Sequence, residues 1–538
     1  MKLINDESNK WQGWKQLNIE VPGYDISQMR KDTVERPQWV HFGAGNIFRG
    51  FIAELQQILL NKGISETGII AAETFDYEII EKIYRPYDNI SMIVLMHPDG
   101  TLQKKLVASV SDGLRANPAF ESEWDRLKGI FSSPSLQMAS FTITEKGYSL
   151  RDLSGDYLEV VKQDIKAGPG APKHAMSITA ALAYERFLAG EYPIAFVSMD
   201  NCSRNGEKLR SALLEIADAW VVNGLVPKDF AAYIEDKNKV SFPWSMIDKI
   251  TPRPSEYVRQ ALEKDGIEDM APVITDRKTF IAPFVNAELP QYLVIEDAFT
   301  NGRPPLEHAG VYFTDRETVE KAERMKVSTC LNPLHTALAV YGCLLGYDSI
   351  AKEMGDPELK KLVEKIGYQE GMPVVVDPGI IHPMDFIREV IEQRLPNPFI
   401  PDMPQRIATD TSQKVAIRFG ETIKAYCARP DLTPESLVYI PLVLAGWLRY
   451  LLGVDDEGKS MEISPDPMKQ ELQKYLEGIS LGEPDSYKGQ AESILKNAAI
   501  FGIDLYKAGI ATKIEDIFKE LISSPGSVRK TLKRYLDN

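Results

Sequence analysis

Gln38-Trp39-Val40-His41-Phe42-Gly43-Ala44-Gly45-Asn46-Ile47-Phe48-Arg49-Gly50 decides the fold of this chain. Its first five residues read as a short buried strand. The glycines then open a turn that runs into Phe51-Ile52-Ala53-Glu54-Leu55-Gln56-Gln57-Ile58-Leu59-Leu60. Phe48, Phe51, Ile52, Leu55, Ile58 and Leu59 recur at helical spacing, and Gly63 suits a helix C-cap. Gly68-Ile69-Ile70-Ala71-Ala72-Glu73 follows as a second buried strand. Strand, glycine turn, helix and strand make one βαβ unit.

A glycine turn between a buried strand and an amphipathic helix is where a dinucleotide pyrophosphate binds. The first glycine permits the turn, the second lets backbone approach the phosphates, and the helix N-terminus offers free N–H groups. This reading assigns Gly43, Ala44, Gly45, Asn46, Ile47, Phe48 and Arg49 to the cofactor. The pattern departs from G-x-G-x-x-G, because Phe48 stands at the third glycine and Gly50 follows two residues later. Glu73 and Asp76, about thirty residues after Gly43, are placed to accept from ribose hydroxyls and repel a 2′-phosphate, which favours NAD over NADP. The competing reading is a plain βα turn, with the two acids capping the next helix.

Working outward, Ser91–Met96, Leu136–Thr144 and Ile194–Met199 read as further strands, with helical stretches at Ser177–Ala189 and Glu207–Val222. Their alternation predicts an α/β fold, a Rossmann-like N-terminal domain with a mostly parallel sheet. Beyond about residue 315 long helical patterns dominate, separated by prolines and short polar loops. We therefore expect domains at 1–315 and 316–538, the second all-helical. A chain of 538 residues is too long for one core.

Net charge is −15, from 62 basic and 77 acidic residues, and no basic stripe suits a nucleic-acid backbone. The four cysteines match no zinc spacing and no disulfide framework, so free thiols in a reducing cytoplasm are expected. The polar N-terminus shows no secretory h-region. The longest apolar run, Leu437–Leu448, is too short for a membrane span and reads as a core helix.

Chemistry concentrates in Met325-Lys326-Val327-Ser328-Thr329-Cys330-Leu331-Asn332-Pro333-Leu334-His335. Asn332 and His335 are three apart, on one helix face, and Lys326 lies close to two turns before. An amine, an amide and an imidazole can move a proton and stabilise an oxyanion without metal. The plainer alternative is a surface lysine, a helix-starting asparagine and a hydrogen-bonded histidine. The remaining histidines form no ligand spacing, so no metal is expected.

Taken with Thr144-Glu145-Lys146-Gly147-Tyr148, Asp200-Asn201, Asn205-Gly206, Phe242-Pro243-Trp244-Ser245-Met246-Ile247-Asp248-Lys249-Ile250-Thr251-Pro252 and Val294-Ile295-Glu296-Asp297, these motifs resemble the mannitol dehydrogenase family of polyol-specific long-chain dehydrogenases. The resemblance spans roughly residues 36–450 and leans toward the fructuronate reductase branch. It implies an NAD-dependent enzyme with Lys326 as general acid/base. Asn201 and Asn332 would hold the reacting oxygen, and His335 would orient substrate. Glu323 would modulate the proton path, Asp248 and Arg394 would contact substrate, and Thr144 and Glu145 would lie at the cofactor.

Two departures stand out. Five residues separate Lys326 from Asn332, where the family usually has four. A basic residue expected after Arg394 is replaced by Pro401-Asp402-Met403-Pro404, leaving Arg406 or Lys414 to substitute. An acid-binding cluster of Arg394, Arg204 and Lys414 would suit a uronate carboxylate. The expected reaction is interconversion of a keto-uronate and a sugar acid, D-fructuronate and D-mannonate. Mannitol or another polyol 2-dehydrogenase, tagaturonate reductase, or a non-catalytic NAD-binding sensor are the alternatives. The expected partner is a small sugar acid or polyol, with no nucleic acid or membrane, for a cytoplasmic monomer or homodimer.

Overall fold

The computed structural model describes residues 1–4, 11–152 and 154–537. It divides into two compact units, Met1–Glu320 and Lys321–Asn538.

The first unit is built on a six-stranded sheet of β1 (Trp39–Phe42), β2 (Ile69–Glu73), β3 (Val110–Arg115), β4 (Met138–Phe141), β5 (Ile194–Ser198) and β6 (Val240–Ser241). The order is β3-β2-β1-β4-β5-β6, with every neighbouring pair parallel. This is the strand order of a dinucleotide-binding sheet, and its direction of growth reverses between β1 and β4. Alternate side chains feed two separate cores. Val40, Phe42, Ile70, Ala139, Phe141 and Phe196 enter one, and Trp39, Ile69, Ala71, Met138 and Val197 the other. Burial on both faces explains why these strands read as continuous apolar runs.

The helix after the glycine turn begins at Asn46, passes through a π turn at Phe48–Ile52, and continues as α1 (Ala53–Asn61). Gly63, at φ 65, ends it as expected. The π turn accounts for the displaced third glycine. A Cβ on Gly50 would fall 2.7 Å from Val285 Cγ1, so Gly50 supplies the close helix–strand approach that the third glycine usually gives.

Ser91–Met96 belongs elsewhere. It pairs antiparallel with Leu102–Val107 and parallel with Phe284–Ala287 in a separate four-stranded sheet. The turn through Pro98-Asp99-Gly100 sets that hairpin, with Gly100 at φ 88. The edge strand β3, which carries Ser111, Asp112 and Arg115, lacks the apolar run that marked its neighbours. Beyond β6, β7 (Ser245–Asp248), β8 (Tyr292–Glu296) and β9 (Tyr312–Thr314) form a third sheet.

The second unit is helical, with no strand element among its described residues. Two buried helices organise it. α3 (Asn332–Leu344) buries eleven of its residues and α4 (Tyr439–Tyr450) buries all twelve. The apolar run at 437–448 is thus a core helix, with Pro441 in its first turn, where a missing N–H costs nothing. No described helix is long and apolar enough to cross a membrane. The C-terminal helix Ser527–Leu536 is pinned by Asp456, which accepts from the Val528 and Arg529 N–H groups at 2.8 and 3.1 Å. Arg529 in turn bridges to Asp356 at 2.6 Å.

Candidate functional site

The turn after β1 is held by geometry that only glycine permits. Gly43 has φ +100, and a Cβ there would lie 2.2 Å from the Thr142 carbonyl oxygen at the end of β4. Gly45 has nothing within 4 Å of a built Cβ, so open space lies over the turn. The His41 ring nitrogens meet Ser140 Oγ at 2.7 Å and Thr142 Oγ1 at 2.8 Å, stitching β1 to β4. Burial pulls the His41 imidazole down to about 3, so it is neutral.

Ala44 N–H donates to Glu73 Oε2 at 2.8 Å, while Glu73 Oε1 accepts from Phe75 N–H at 2.9 Å and Asp76 N–H at 3.2 Å. Glu73 therefore ties the end of β2 to the turn, and burial raises its carboxyl above the usual range. Asp76 is buried and accepts from Thr275 Oγ1 at 2.6 Å. Both acids thus have protein partners in addition to the ribose contacts anticipated for them. Asn46 Oδ1 is buried without a hydrogen-bond partner. Ile47 is half-buried. Phe48 and Arg49 are not brought to the open side of the turn. Phe48 stacks on His41 with ring centroids 4.2 Å apart. Arg49 is fully buried, donating to Ser91 Oγ at 3.0 Å and the Ala282 carbonyl at 2.6 Å.

Across the sheet's switch point, Thr144 sits at φ 64, an uncommon conformation for a β-branched residue. Asp200, after β5, holds it there. Its carboxylate accepts from Ile143 and Thr144 N–H at 2.9 and 3.0 Å and from Tyr148 Oη at 2.6 Å. Thr144 and Glu145 are exposed, Glu145 in an ion pair with Lys208. Asn201 is exposed beside Asp200. Asn205 starts α2 (Asn205–Val222) and bonds the Asp200 carbonyl at 3.1 Å and the Ser245 carbonyl at 3.0 Å. Asp248, buried, ends β7.

In the second unit Lys326 is 1% exposed and opens a π turn, Lys326–Cys330. Leu331 then breaks the helix at φ −128, and α3 starts at Asn332. The extra residue is absorbed in this π turn and break, so the two-turn helical spacing read between Lys326 and Asn332 does not hold. From Asn332 to Leu344, only Asn332 and His335 are not buried. They share the one open face of that helix.

His335 Nε2 lies 3.2 Å from Asp402 Oδ2. Arg406 donates to Asp402 Oδ1 from Nε at 3.1 Å and Nη2 at 2.6 Å. Burial pushes the Asp402 carboxyl up, but His335 and Arg406 outweigh it and hold it below the usual range. Glu323 is half-buried on the helix Arg316–Met325. Arg394, buried, ends the π turn Val390–Arg394. Lys414 is half-buried and donates to the Thr409 carbonyl at 2.5 Å. Burial, then the nearby Arg418, lowers its ammonium below the ordinary lysine range. Among the described residues no group of three or more His, Cys, Asp or Glu is placed to hold a metal ion.

Three residues escaped the sequence reading. Asp200 stands in a motif whose asparagine drew the assignment. Asp402 registered only as a missing base. Arg418 is four residues after Lys414, a spacing that pairs side chains on a helix, yet nothing else marked it.

The Mannitol dehydrogenase Rossmann domain model matches residues 37–308, and the Mannitol dehydrogenase C-terminal domain model matches residues 318–522. A D-mannonate oxidoreductase of Thermotoga maritima is 56% identical over 538 residues, covering 100% of this chain and 99% of that protein. A mannitol 2-dehydrogenase of Neosartorya fischeri is 27% identical over 533 residues, 96% of each. Among solved structures, Pseudomonas fluorescens mannitol 2-dehydrogenase in a ternary complex with NAD and D-mannitol aligns with a TM-score of 0.71 at 27% identity, covering 100% of both chains.

Proposed function

The chain belongs to the mannitol dehydrogenase family, and from that premise we propose that it interconverts D-fructuronate and D-mannonate with NADH and NAD. The observation that carries the substrate choice is the 56% identity, end to end, to a D-mannonate oxidoreductase. The likeness to mannitol 2-dehydrogenases extends over the same length at about half that identity.

The turn fits a dinucleotide. Gly43 and Ala44 shape it, Gly45 leaves room above it, and Asn46 brings a buried, unpartnered amide oxygen to the helix start. Backbone N–H groups there suit a pyrophosphate, and the Glu73 carboxylate opposes a 2′-phosphate. Thr144 and Glu145 contribute from the end of β4. NADH, when bound, supplies the hydride that a ketone needs to become an alcohol.

The protein's task is the proton and the charge on oxygen. Lys326 donates a proton to the carbonyl oxygen in reduction and removes it in oxidation. Lys326 is buried, and a proton donor for this reaction has to work near neutral pH. Asn201 and Asn332 donate amide N–H bonds to the oxygen as charge develops, each worth on the order of 3 kcal/mol by analogy with single oxyanion donors. His335 orients the hydroxyl chain from the open face of α3. Asp248, Arg394 and Lys414 bind substrate, and Glu323 tunes the proton path.

This reading divides the work between 1–315, which binds NAD, and 316–538, which carries the proton donor and substrate groups. We place the enzyme in the cytoplasm as a monomer or homodimer. The test is NADH oxidation with D-fructuronate, D-tagaturonate and D-fructose side by side. Fructuronate should give the highest kcat/KM, and fructose outrunning both acids overturns the assignment. Lys326→Ala should cut turnover by orders of magnitude while NADH still binds. Unchanged turnover would remove Lys326 from the chemistry.

A further inference from the structure

Arginines taken out of water need acceptors. Arg186 donates to the carbonyls of Phe131, Ser133, Leu136, Tyr192 and Pro193. Arg449 donates to those of Leu521, Val454 and Asp455. Arg418 is different, because it is not fully taken out of water. It is half-buried on the π turn Ala416–Gly420, and among the described residues its guanidinium makes one hydrogen bond, from Nη1 to Thr336 Oγ1 at 2.6 Å. Among the described residues no acidic side chain offsets its charge, and burial lowers its pKa to about 10.

A second cation stands beside it. Lys414 lies one turn earlier, its carbonyl accepting from the Arg418 backbone N–H at 3.0 Å, and its ammonium donates to the Thr409 carbonyl, with Asp410 and Asp466 near enough to favour its charge. Arg406 adds positive charge to the same neighbourhood but is already committed to Asp402. Asp410 and Asp466 offset the Lys414 charge only in part, since its pKa stays lowered, and an anionic ligand would relieve the remaining repulsion between the two cations.

The anchor point says which ligand. Thr336 Oγ1 donates onward to the Asn332 carbonyl at 2.9 Å, and Thr336 directly follows His335. Arg418 is therefore fastened to the first turn of α3, the turn with Asn332 and His335 on its open face. In a keto-uronate the carboxylate lies at the opposite end of the carbon chain from the ketone. A cation offset from the groups that hold the reacting oxygen is where such a carboxylate would need a partner.

We propose that Arg418, supported by Lys414, is the carboxylate-recognition residue that selects sugar acids over neutral ketoses. The guanidinium N–H groups not used by Thr336 take the carboxylate as a fork, and Lys414 adds a point charge. This rests on the sugar-acid reading above.

The experiment compares wild type, Arg418→Gln and Arg418→Lys, each with D-fructuronate and D-fructose at saturating NADH. The ratio of kcat/KM for the acid over the ketose should fall by about 100-fold in R418Q, mostly through KM, and by less in R418K. A wild type that prefers fructose overturns both the substrate reading and this proposal. A wild type that prefers fructuronate, with a ratio that moves less than about threefold in the variants, overturns the Arg418 assignment alone. If R418Q does not fold, R418K decides, because lysine keeps the charge but loses the fork. Equal losses on acid and ketose in R418K would make Arg418 a structural residue and overturn the proposal.

Discussion

His335 Nε2 faces Asp402 Oδ2 at 3.2 Å. With an Nε2–H donated to the carboxylate, the imidazole is held in one orientation and its Nδ1 is left for substrate. Asp402→Asn keeps the shape but weakens the charge on both His335 and Arg406. We expect kcat/KM for fructuronate to drop by about 10- to 100-fold, the cost of a hydrogen bond to a charged group, with NADH affinity unchanged. The acid limb of the pH–rate profile should also move, because Asp402 is held ionised below the usual carboxylate range by His335 and Arg406. A variant that loses thermal stability but keeps its kcat/KM and pH profile would make the pair purely structural.

The two glycines of the nucleotide turn should separate stability from binding. Gly43→Ala forces a Cβ to within 2.2 Å of the Thr142 carbonyl at φ +100. It should destabilise the fold by at least about 2 kcal/mol. Gly45→Ala meets nothing within 4 Å, so its thermal midpoint should stay near wild type while NADH binding weakens by tenfold or more, on the order of 1.4 kcal/mol. Full NADH affinity in Gly45→Ala would remove the pyrophosphate from above that residue.

The difference between these glycines marks where sequence reading reached and where it stopped. The turn was legible because strand, glycines and helix follow one another within about twenty-five residues, and local order fixes local structure. Asn332 and His335 were legible for the same reason, being three apart on one helix. Lys326 was found, but its geometry was not, because the π turn at Lys326–Cys330 and the break at Leu331 replace regular helical spacing. Arg394 and Arg418 also stand on π turns, where i, i+4 reasoning fails. The pairing of His335 with Asp402 joins residues far apart in sequence, and no periodicity announces it. Ser91–Met96 was recognised as a strand but not as a member of a different sheet, since pairing partners are set by tertiary contacts.

Glu73 offers a test of how the turn is held. Its two carboxylate oxygens accept three backbone N–H groups, from Ala44, Phe75 and Asp76. In Glu73→Gln an amide NH2 must face one of those donors. About 1.5–3 kcal/mol of charge-assisted bonding is at stake. NADH titrations should show roughly tenfold weaker binding as the Ala44 end of the turn loosens. An unaltered dissociation constant, with an unaltered thermal midpoint, would show that the turn keeps its shape without the tether.

Glu353 predicts how stability depends on pH. It is fully buried, and neither carboxyl oxygen has a hydrogen-bond partner. The carboxyl lies against the Gly342 backbone, where a Cβ would come within 2.0 Å of Oε1. Burial, then the charges of Asp402 and Asp356, raise its pKa to about 9. The folded protein therefore keeps a proton that the unfolded chain releases above about pH 4.3. The contribution of the neutral acid to stability is fully present below that value. It declines by about 1.4 kcal/mol per pH unit as pH rises toward about 9, then levels off once the folded group also ionises. Glu353→Gln has the same shape and no ionisation. Its thermal midpoint relative to wild type should climb steadily from about pH 5 to about pH 9 and change little beyond. Parallel curves for the two proteins over that range would mean that Glu353 is ionised in the folded state, with a partner or solvent path that its buried position does not suggest.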